Sequence, residues 1–338
     1  MKRLLIVFMA LLSVRCGVQP ERVLSGEERA RYLQEIGIEK ILYNTDERVD
    51  GGQLKVLDNK SRSPRPLTKT PAVRVGFWSP DGRRIAYTEG NSLNVMNEDG
   101  TGFQRLYPSS GPAILTFKWA PDGSALAFRF PSGAVYTIRA DGTGLKEIEA
   151  PWIPTSVNYR PGEIAWSPDG RTLAYDARYS GDAVPQVYLI GADGTGRRRL
   201  TGTAGAARNP SWSPDGRRVA FDADTRPYTI NADGTDLRQL ATIYAVAPVW
   251  SPTGQALVYR TLSESIGVMK PDGSGRRQIV GLASGESTLF NSWSPDGSRI
   301  AFVGLFRNVL SLFVVKASGD DLRSLVDDVG SFDVRWGR

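Results

Sequence analysis

The sequence predicts an all-β protein, a β-propeller, from three observations. A five-residue motif recurs six times: Trp78-Ser-Pro-Asp-Gly82, Trp119-Ala-Pro-Asp-Gly123, Trp166-Ser-Pro-Asp-Gly170, Trp212-Ser-Pro-Asp-Gly216, Trp250-Ser-Pro-Thr-Gly254 and Trp293-Ser-Pro-Asp-Gly297. The tryptophans are 41, 47, 46, 38 and 43 residues apart, and Trp336 follows 43 later. A period of roughly 40–45 residues is that of a propeller blade. A second marker, such as Ala140-Asp-Gly-Thr-Gly144 or Ala192-Asp-Gly-Thr-Gly196, follows each motif by about 20 residues, with short apolar runs between.

Each blade can be built in order from turn chemistry. Proline presets φ, aspartate follows it, and glycine takes the left-handed conformation that closes a hairpin. The Asp-Gly-Thr marker does the same between the next two strands. One unit is therefore strand a ending in Trp, a turn, strand b (Arg84-Ile-Ala-Tyr87, Thr172-Leu-Ala-Tyr175, Arg218-Val-Ala-Phe221, Arg299-Ile-Ala-Phe302), a loop, strand c, the Asp-Gly turn and strand d. A lone blade cannot bury its apolar surface and needs neighbours. The tryptophans are assigned to the gaps between blades.

Ahead of Trp78, Lys40-Ile-Leu-Tyr-Asn44, Gln53-Leu-Lys-Val-Leu57 and Arg65-Pro-Leu-Thr68 match strands b, c and d without an a. Ser331-Phe-Asp-Val-Arg-Trp336 matches an a with nothing after it. Joining them gives seven four-stranded blades closed by pairing of N- and C-terminal strands, which removes open sheet edges. Six blades, with the first unit as an appendage, is the alternative. All the Pro-Asp-Gly and Asp-Gly-Thr turns fall on one face. The opposite face carries the b–c and d–a loops, where the repeats differ: residues 149–162, 176–186, 262–266, 282–291 and 304–309. Irregular loops on a rigid scaffold are the usual home of binding residues.

Three segments are expected. Residues 1–15 read as a signal peptide: Lys2 and Arg3 precede an apolar run over 4–12, too short to span a bilayer. Residues 16–39 read as a lipid tether and linker with a short helix, opened by the capping box Ser25-Gly-Glu-Glu28, ending near Gly37 and docking through Tyr32, Leu33 and Ile36. Residues 40–338 are the propeller. Cys16, the only cysteine, stands where the lipidated residue of a bacterial lipoprotein would, although Arg15 departs from the small residue that pattern carries there.

Composition excludes more than it assigns. The chain has 338 residues, is 41% hydrophobic and carries a net charge of +6, three charges of which belong to residues 1–15. Its arginine pairs sit beside turn aspartates, without the uncompensated basic stripe of a nucleic-acid binder. No histidine is present, which removes Ser-His-Asp triads, His-ligated metals and imidazole catalysis. Asp-Gly-Thr-Gly is explained as turn chemistry and lacks the acid density of a calcium loop. Neither cofactor nor metal is expected. The carboxylates not used in turns are Glu149, Asp176, Asp182, Asp222, Asp224, Glu264 and Glu286.

Trp-Ser-Pro-Asp-Gly, then Ile-Ala-Phe/Tyr, then Asp-Gly-Thr-Gly and a closing Leu200-Thr201, resembles the propeller repeat of the TolB family over about residues 40–338. TolB carries a further N-terminal α/β domain, which is not expected in the residues ahead of Lys40 here. The same repeat precedes a hydrolase domain in some serine peptidases, and no such domain follows Trp336. The resemblance implies an extracytoplasmic propeller that binds proteins; with Cys16, a monomeric envelope lipoprotein with a protein or peptide partner is expected. No TolB contact residue carries over by motif. The residues chosen from the variable loops are Trp152, Tyr159, Arg160, Arg178, Tyr179, Phe290, Phe306 and Arg307, exposed aromatics and arginines able to fill partner pockets. The alternative is a carbohydrate-active lyase or hydrolase using carboxylates, marked by two close acids in a deep pocket. A purely structural envelope protein is the third reading.

Overall fold

The computed structural model describes residues 23–45, 52–61, 63–69, 73–150, 161–261, 263, 265–281, 286–306, 309–327 and 329–337. These form seven four-stranded antiparallel sheets, each in the order a-b-c-d. The a strands of blades one to six are Val73–Trp78, Thr116–Trp119, Ile164–Trp166, Ala207–Trp212, Val246–Trp250 and Ser287–Trp293. They lie innermost around the axis.

Blade seven is the composite that the termini predicted. Val329–Gly337 supplies strand a, and Lys40–Thr45, Leu54–Asp58 and Arg65–Pro66 supply b, c and d. The closing register pairs Lys40 with Gly337, Ile41 with Trp336, Leu42 with Arg335 and Tyr43 with Val334. Seven blades, not six, is the result.

The repeated turns behave as their chemistry requires. In the first, Gly82 adopts φ 71° and donates its N–H to the Ser79 carbonyl at 2.8 Å. The Ser79 hydroxyl and the Arg83 N–H both donate to Asp81 Oδ1, at 2.6 and 3.1 Å. These bonds hold the Asp81 carboxyl below the usual carboxylate range.

The motif tryptophans pack between blades, and four of them latch one blade to the last. Trp119, Trp166, Trp293 and Trp336 donate Nε1–H to the carbonyls of Phe77, Lys118, Val249 and Ser292, at 3.1, 3.2, 3.2 and 2.8 Å. Each acceptor is the residue before the neighbouring blade's tryptophan. Strand b is buried along almost its whole length, as in Arg218–Ala223, because both faces of a blade are covered.

The helix spans Gly26–Glu35, N-capped by Ser25 in the reciprocal arrangement with Glu28. It closes at Gly37, φ 69°. Tyr32 and Leu33 are buried against blades six and seven, with Ile36 packed at the edge. Arg29, also buried, donates to the Leu325 carbonyl at 2.9 Å. Val23 pairs in parallel with Ser324 on the outer strand of blade six.

Two loop boundaries differ from expectation. Strands b and c of blade six run over Arg299–Phe306 and Val309–Lys316, so the expected loop at 304–309 shrinks to its tip. The segment 282–291 becomes strand a from Ser287 onward. β-Branched and aromatic residues in strands b and c of blade six continue that ladder beyond its length in the other blades.

Candidate functional site

The channel is the first feature that the inward-facing residues create. A cavity of about 850 Å³ lies among the a strands of blades two to six, with Lys118, Glu163, Asn209, Ala247, Arg260 and the motif tryptophans on its wall. Lys118 and Glu163 pair across the first seam at 2.7 Å, and the Thr116 hydroxyl donates to Glu163 at 2.9 Å.

Behind this wall runs a polar belt. The residue ten positions after each motif tryptophan is Thr88, Arg129, Asp176, Asp222, Arg260 or Val303 in blades one to six. Asn44 is its equivalent in blade seven. These are strand-b residues near the loop face. Arg129 and Asp176 are fully buried and paired at 3.0 Å. The Arg129 guanidinium also donates to the Asp176 backbone carbonyl and to that of Gly162 at 3.2 Å. Gly162 N–H donates to Asp176 Oδ1 at 3.0 Å. A Cβ at Gly162 would stand 2.8 Å from that oxygen, so glycine is required there by close approach.

Asp222 takes a different set of partners. Its Oδ1 accepts from Asn209 Nδ2 at 2.8 Å and from the Ala247 N–H at 2.9 Å. Asn209 and Ala247 both hold left-handed backbone, φ 53° and 49°, each immediately before a proline and each at an irregularity in strand a. That combination is sterically unfavourable for a residue with a Cβ. Burial pushes the Asp222 carboxyl up to about 6 against the effect of its two donors, with the Asp176 charge adding to the rise.

A second cluster occupies the outer part of the seam between blades two and three. Glu149, buried, accepts from Tyr175 Oη at 3.0 Å and from Arg197 at 3.1 Å. Asp182 accepts from Tyr188 Oη at 2.6 Å and pairs with Arg199 at 3.2 Å. The Arg197 guanidinium lies 4.4 Å from the Tyr179 ring centre, and Tyr179 packs edge-on against Tyr188 at 4.7 Å. Burial raises the hydroxyls of Tyr175, Tyr179 and Tyr188 above the ordinary phenol value, so all three are protonated donors at neutral pH.

Of the residues chosen from sequence, Arg178 and Tyr179 share this region. Arg178 is exposed, its Nε donating to the Asp182 carbonyl at 3.2 Å, while Tyr179 is half-buried in the cluster. Phe306 is buried and packs on Phe313 with ring centres 4.6 Å apart. Phe290 lies on strand a of blade six. Trp152, Tyr159, Arg160, Arg307 and Cys16 lie outside the described residues. Among the leftover acids, Asp176 and Asp222 belong to the channel belt, Glu149 and Asp182 to the tyrosine cluster, and Asp224 is exposed. Sequence reasoning missed Arg129, whose signal was a charge inside the apolar run Ala125-Leu-Ala-Phe-Arg129. Among the described residues no group of three or more His, Cys, Asp or Glu could hold a metal ion, and no helix is long and apolar enough to cross a membrane.

Comparison with known proteins places these features in a family. The model of the TolB beta propeller domain matches residues 88–336. A TolB homolog of Chlorobium luteolum is 29% identical over 164 residues, covering 44% of this chain and 31% of the relative. The Tol-Pal system protein TolB of Gluconobacter oxydans is 38% identical over 104 residues, covering 27% and 21%. The chain thus spans less than a third of the length of either relative. Among solved structures, an oligogalacturonate lyase in complex with manganese superposes with a TM-score of 0.66 at 17% identity, covering 85% of this chain and 86% of that one. TolB from Acinetobacter baumannii superposes at 0.52 with 18% identity, covering 96% and 88%. At such identities these likenesses establish the fold alone.

Proposed function

The chain belongs to the TolB β-propeller family, and on that premise we propose that it is a non-catalytic, protein-binding propeller of the cell envelope, tethered through Cys16. Family membership carries this reading. The loop face supports it: Leu115, Ile243, Tyr244 and Val309, all exposed, sit in or beside d–a and b–c loops. Exposed apolar residues gathered at one end of a scaffold favour a partner contact. Phe103, Leu145 and Leu237, also exposed, follow the Asp-Gly-Thr turns on the other side.

The test is a proximity crosslink and pull-down from intact cells. Wild type is compared with a variant combining Trp152→Ala, Arg178→Ala and Arg307→Ala, and with Tyr244→Ala. Loss of one specific protein in folded variants supports the reading; a capture profile indifferent to all four positions sinks it. Cys16→Ser, followed by fractionation, tests the tether separately.

The second reading, a carbohydrate-active lyase or hydrolase, rests on Asp176 and Asp222 lying beside the channel. Against it, Asp176 is enclosed by Arg129 and Gly162, and Asp222 is occupied by two donors. Turnover of oligogalacturonate, lost in Asp222→Asn, would establish this reading in place of the first.

A further inference from the structure

The seven seams are natural copies of one another, and they differ at one position on the turn face. Six residues after each motif tryptophan, at the start of strand b or, in blade five, just before it, stands Arg84, Ala125, Thr172, Arg218, Ala256 or Arg299, with Lys40 as the counterpart in blade seven. Where this residue is basic and the next blade offers an open tryptophan, the cation covers the ring. Arg84 lies 5.2 Å from the Trp119 ring centre, Arg218 4.9 Å from Trp250 and Lys40 5.5 Å from Trp78. Arg84 shows the full set of contacts, donating to the carbonyls of Gly123 at 3.0 Å and Ala140 at 3.5 Å. Arg299 turns instead to Tyr32 and Asp321 under the docked helix.

The seam between blades three and four has Thr172 in that place. Trp212 is half-buried, and among the described residues no basic side chain stacks on it. A cavity of about 750 Å³ lies over this seam, with Trp212 and Thr172 on its wall. Gly216 and Ala232, the counterparts of Gly123 and Ala140, line it too. Arg198, from the outer strand of blade three, also lines the cavity and donates to the Ala232 carbonyl without stacking on Trp212, which leaves the ring face and the Gly216 carbonyl position. Asp169 and Asp215 also line the cavity.

We propose that this seam is a receptor for a cationic side chain, the guanidinium of an arginine presented by a partner polypeptide on the turn face. The protein fills the equivalent seams with its own arginines, so the geometry that an arginine needs is already built. A planar guanidinium lies flat on an indole while its edge reaches a carbonyl, which an ammonium does less well. The aspartates supply opposite charge: hydroxyl donors Ser167 and Ser213 hold both carboxyls below the usual range, and they are ionised at neutral pH. The cavity is larger than one side chain, so residues flanking the arginine fit between Pro168 and Pro214. Ala125 and Ala256 likewise carry no charge at this position, and Ala256 packs in the cluster that holds Trp293. At Trp212 the cavity, the half-buried ring and the acceptor positions coincide. The site lies on the face opposite the variable loops and does not depend on what those loops bind.

The test uses full-length protein labelled at its indole nitrogens, titrated with N-acetyl-arginine methylamide and with the neutral citrulline counterpart. A saturable, millimolar shift of the Trp212 indole, assigned through Trp212→Phe, is expected with arginine and not with citrulline. Trp119 and Trp250, already covered, stay put. Thr172→Arg should fill the seam from within, weaken the probe at least about tenfold and raise the melting temperature. Equal shifts with citrulline, an unshifted Trp212, or undiminished binding to Thr172→Arg would overturn the proposal. Should Thr172→Arg fail to fold, Asp215→Asn decides with the citrulline arm: binding unchanged by loss of that charge overturns it.

Discussion

Replacing Asp222 by asparagine should stabilise this protein at neutral pH, and by an amount that depends on pH in a defined way. The carboxyl rises from 3.8 to about 6 on folding because it is buried. A raised carboxyl means that the folded state holds its proton more tightly than the unfolded chain does. Asp222 therefore favours folding fully only below about pH 4, and its contribution falls as pH climbs through 6. At about 1.36 kcal/mol per unit, the loss by pH 7 is about 3 kcal/mol. Asparagine keeps an Oδ1 able to accept from Asn209 and Ala247, the two bonds that pin the left-handed residues. It removes the charge but adds an amide donor near Arg208, which offsets part of the gain. The expected net gain is about 1–2 kcal/mol at pH 7, shrinking to zero or below at pH 4. Urea unfolding of both proteins between pH 4 and 7.5 measures it. Subtracting one curve from the other cancels the titrating groups that are not coupled to Asp222. A difference that does not vary with pH, or an asparagine variant that is weaker throughout, would refute the reasoning.

Three further outcomes follow from the same geometry. Arg129→Ala leaves Asp176 without its partner in a dry site and should cost about 3–5 kcal/mol; Arg129→Met with Asp176→Leu should recover most of it, both read from denaturant midpoints. Trp336→Ala removes the Ser292 latch and a large buried ring from the closing blade, so it should cost about 3–5 kcal/mol and expose Lys40–Thr45 to hydrogen exchange. Ser25→Ala removes the helix cap at about 0.5–2 kcal/mol; exchange should quicken over Gly26–Glu35 while the blades remain protected, and a propeller that loosens along with the helix would contradict this.

The fold was legible because its information is local and repeated. Ser79, Asp81 and Gly82 form their turn from adjacent residues, and six copies of that turn fix where strand a gives way to strand b in blades one to six. The closure was legible for the opposite reason: Lys40–Thr45 and Val329–Gly337 each lacked a partner, and only one pairing supplied both. The polar belt was not legible. Arg129 and Asp176 are 47 residues apart, and the charge that closes the apolar run Ala125–Arg129 marks an oddity without saying that it reaches into the following blade. The left-handed residues Asn209 and Ala247 were equally hidden, because an Asn-Pro or Ala-Pro pair ordinarily reads as extended chain. Phe306 illustrates the limit of loop reasoning: its neighbours continue the strand, so the ring turns inward onto Phe313.

The belt also separates what the fold needs from what it does not. Blades six, seven and one use Val303, Asn44 and Thr88 at the shared position and pack as well as the others, so an ionisable residue there is no requirement of a blade. Blades two to five nevertheless carry Arg129, Asp176, Asp222 and Arg260 in succession. The two signs cancel, so long-range steering of a charged ligand gains little from the belt. What it gains is asymmetry: one side of the channel is backed by buried charge and strained backbone, the other by ordinary packing. Asp222 is the group in this row that most clearly costs stability, and its two donors are the residues whose backbone is strained. If Asp222→Asn stabilises the protein as argued while weakening capture of its partner, the belt is kept for recognition at the expense of stability. If the variant is more stable and binds unchanged, the charge serves neither purpose, and the recognition proposed above would fall to the loops and seams alone.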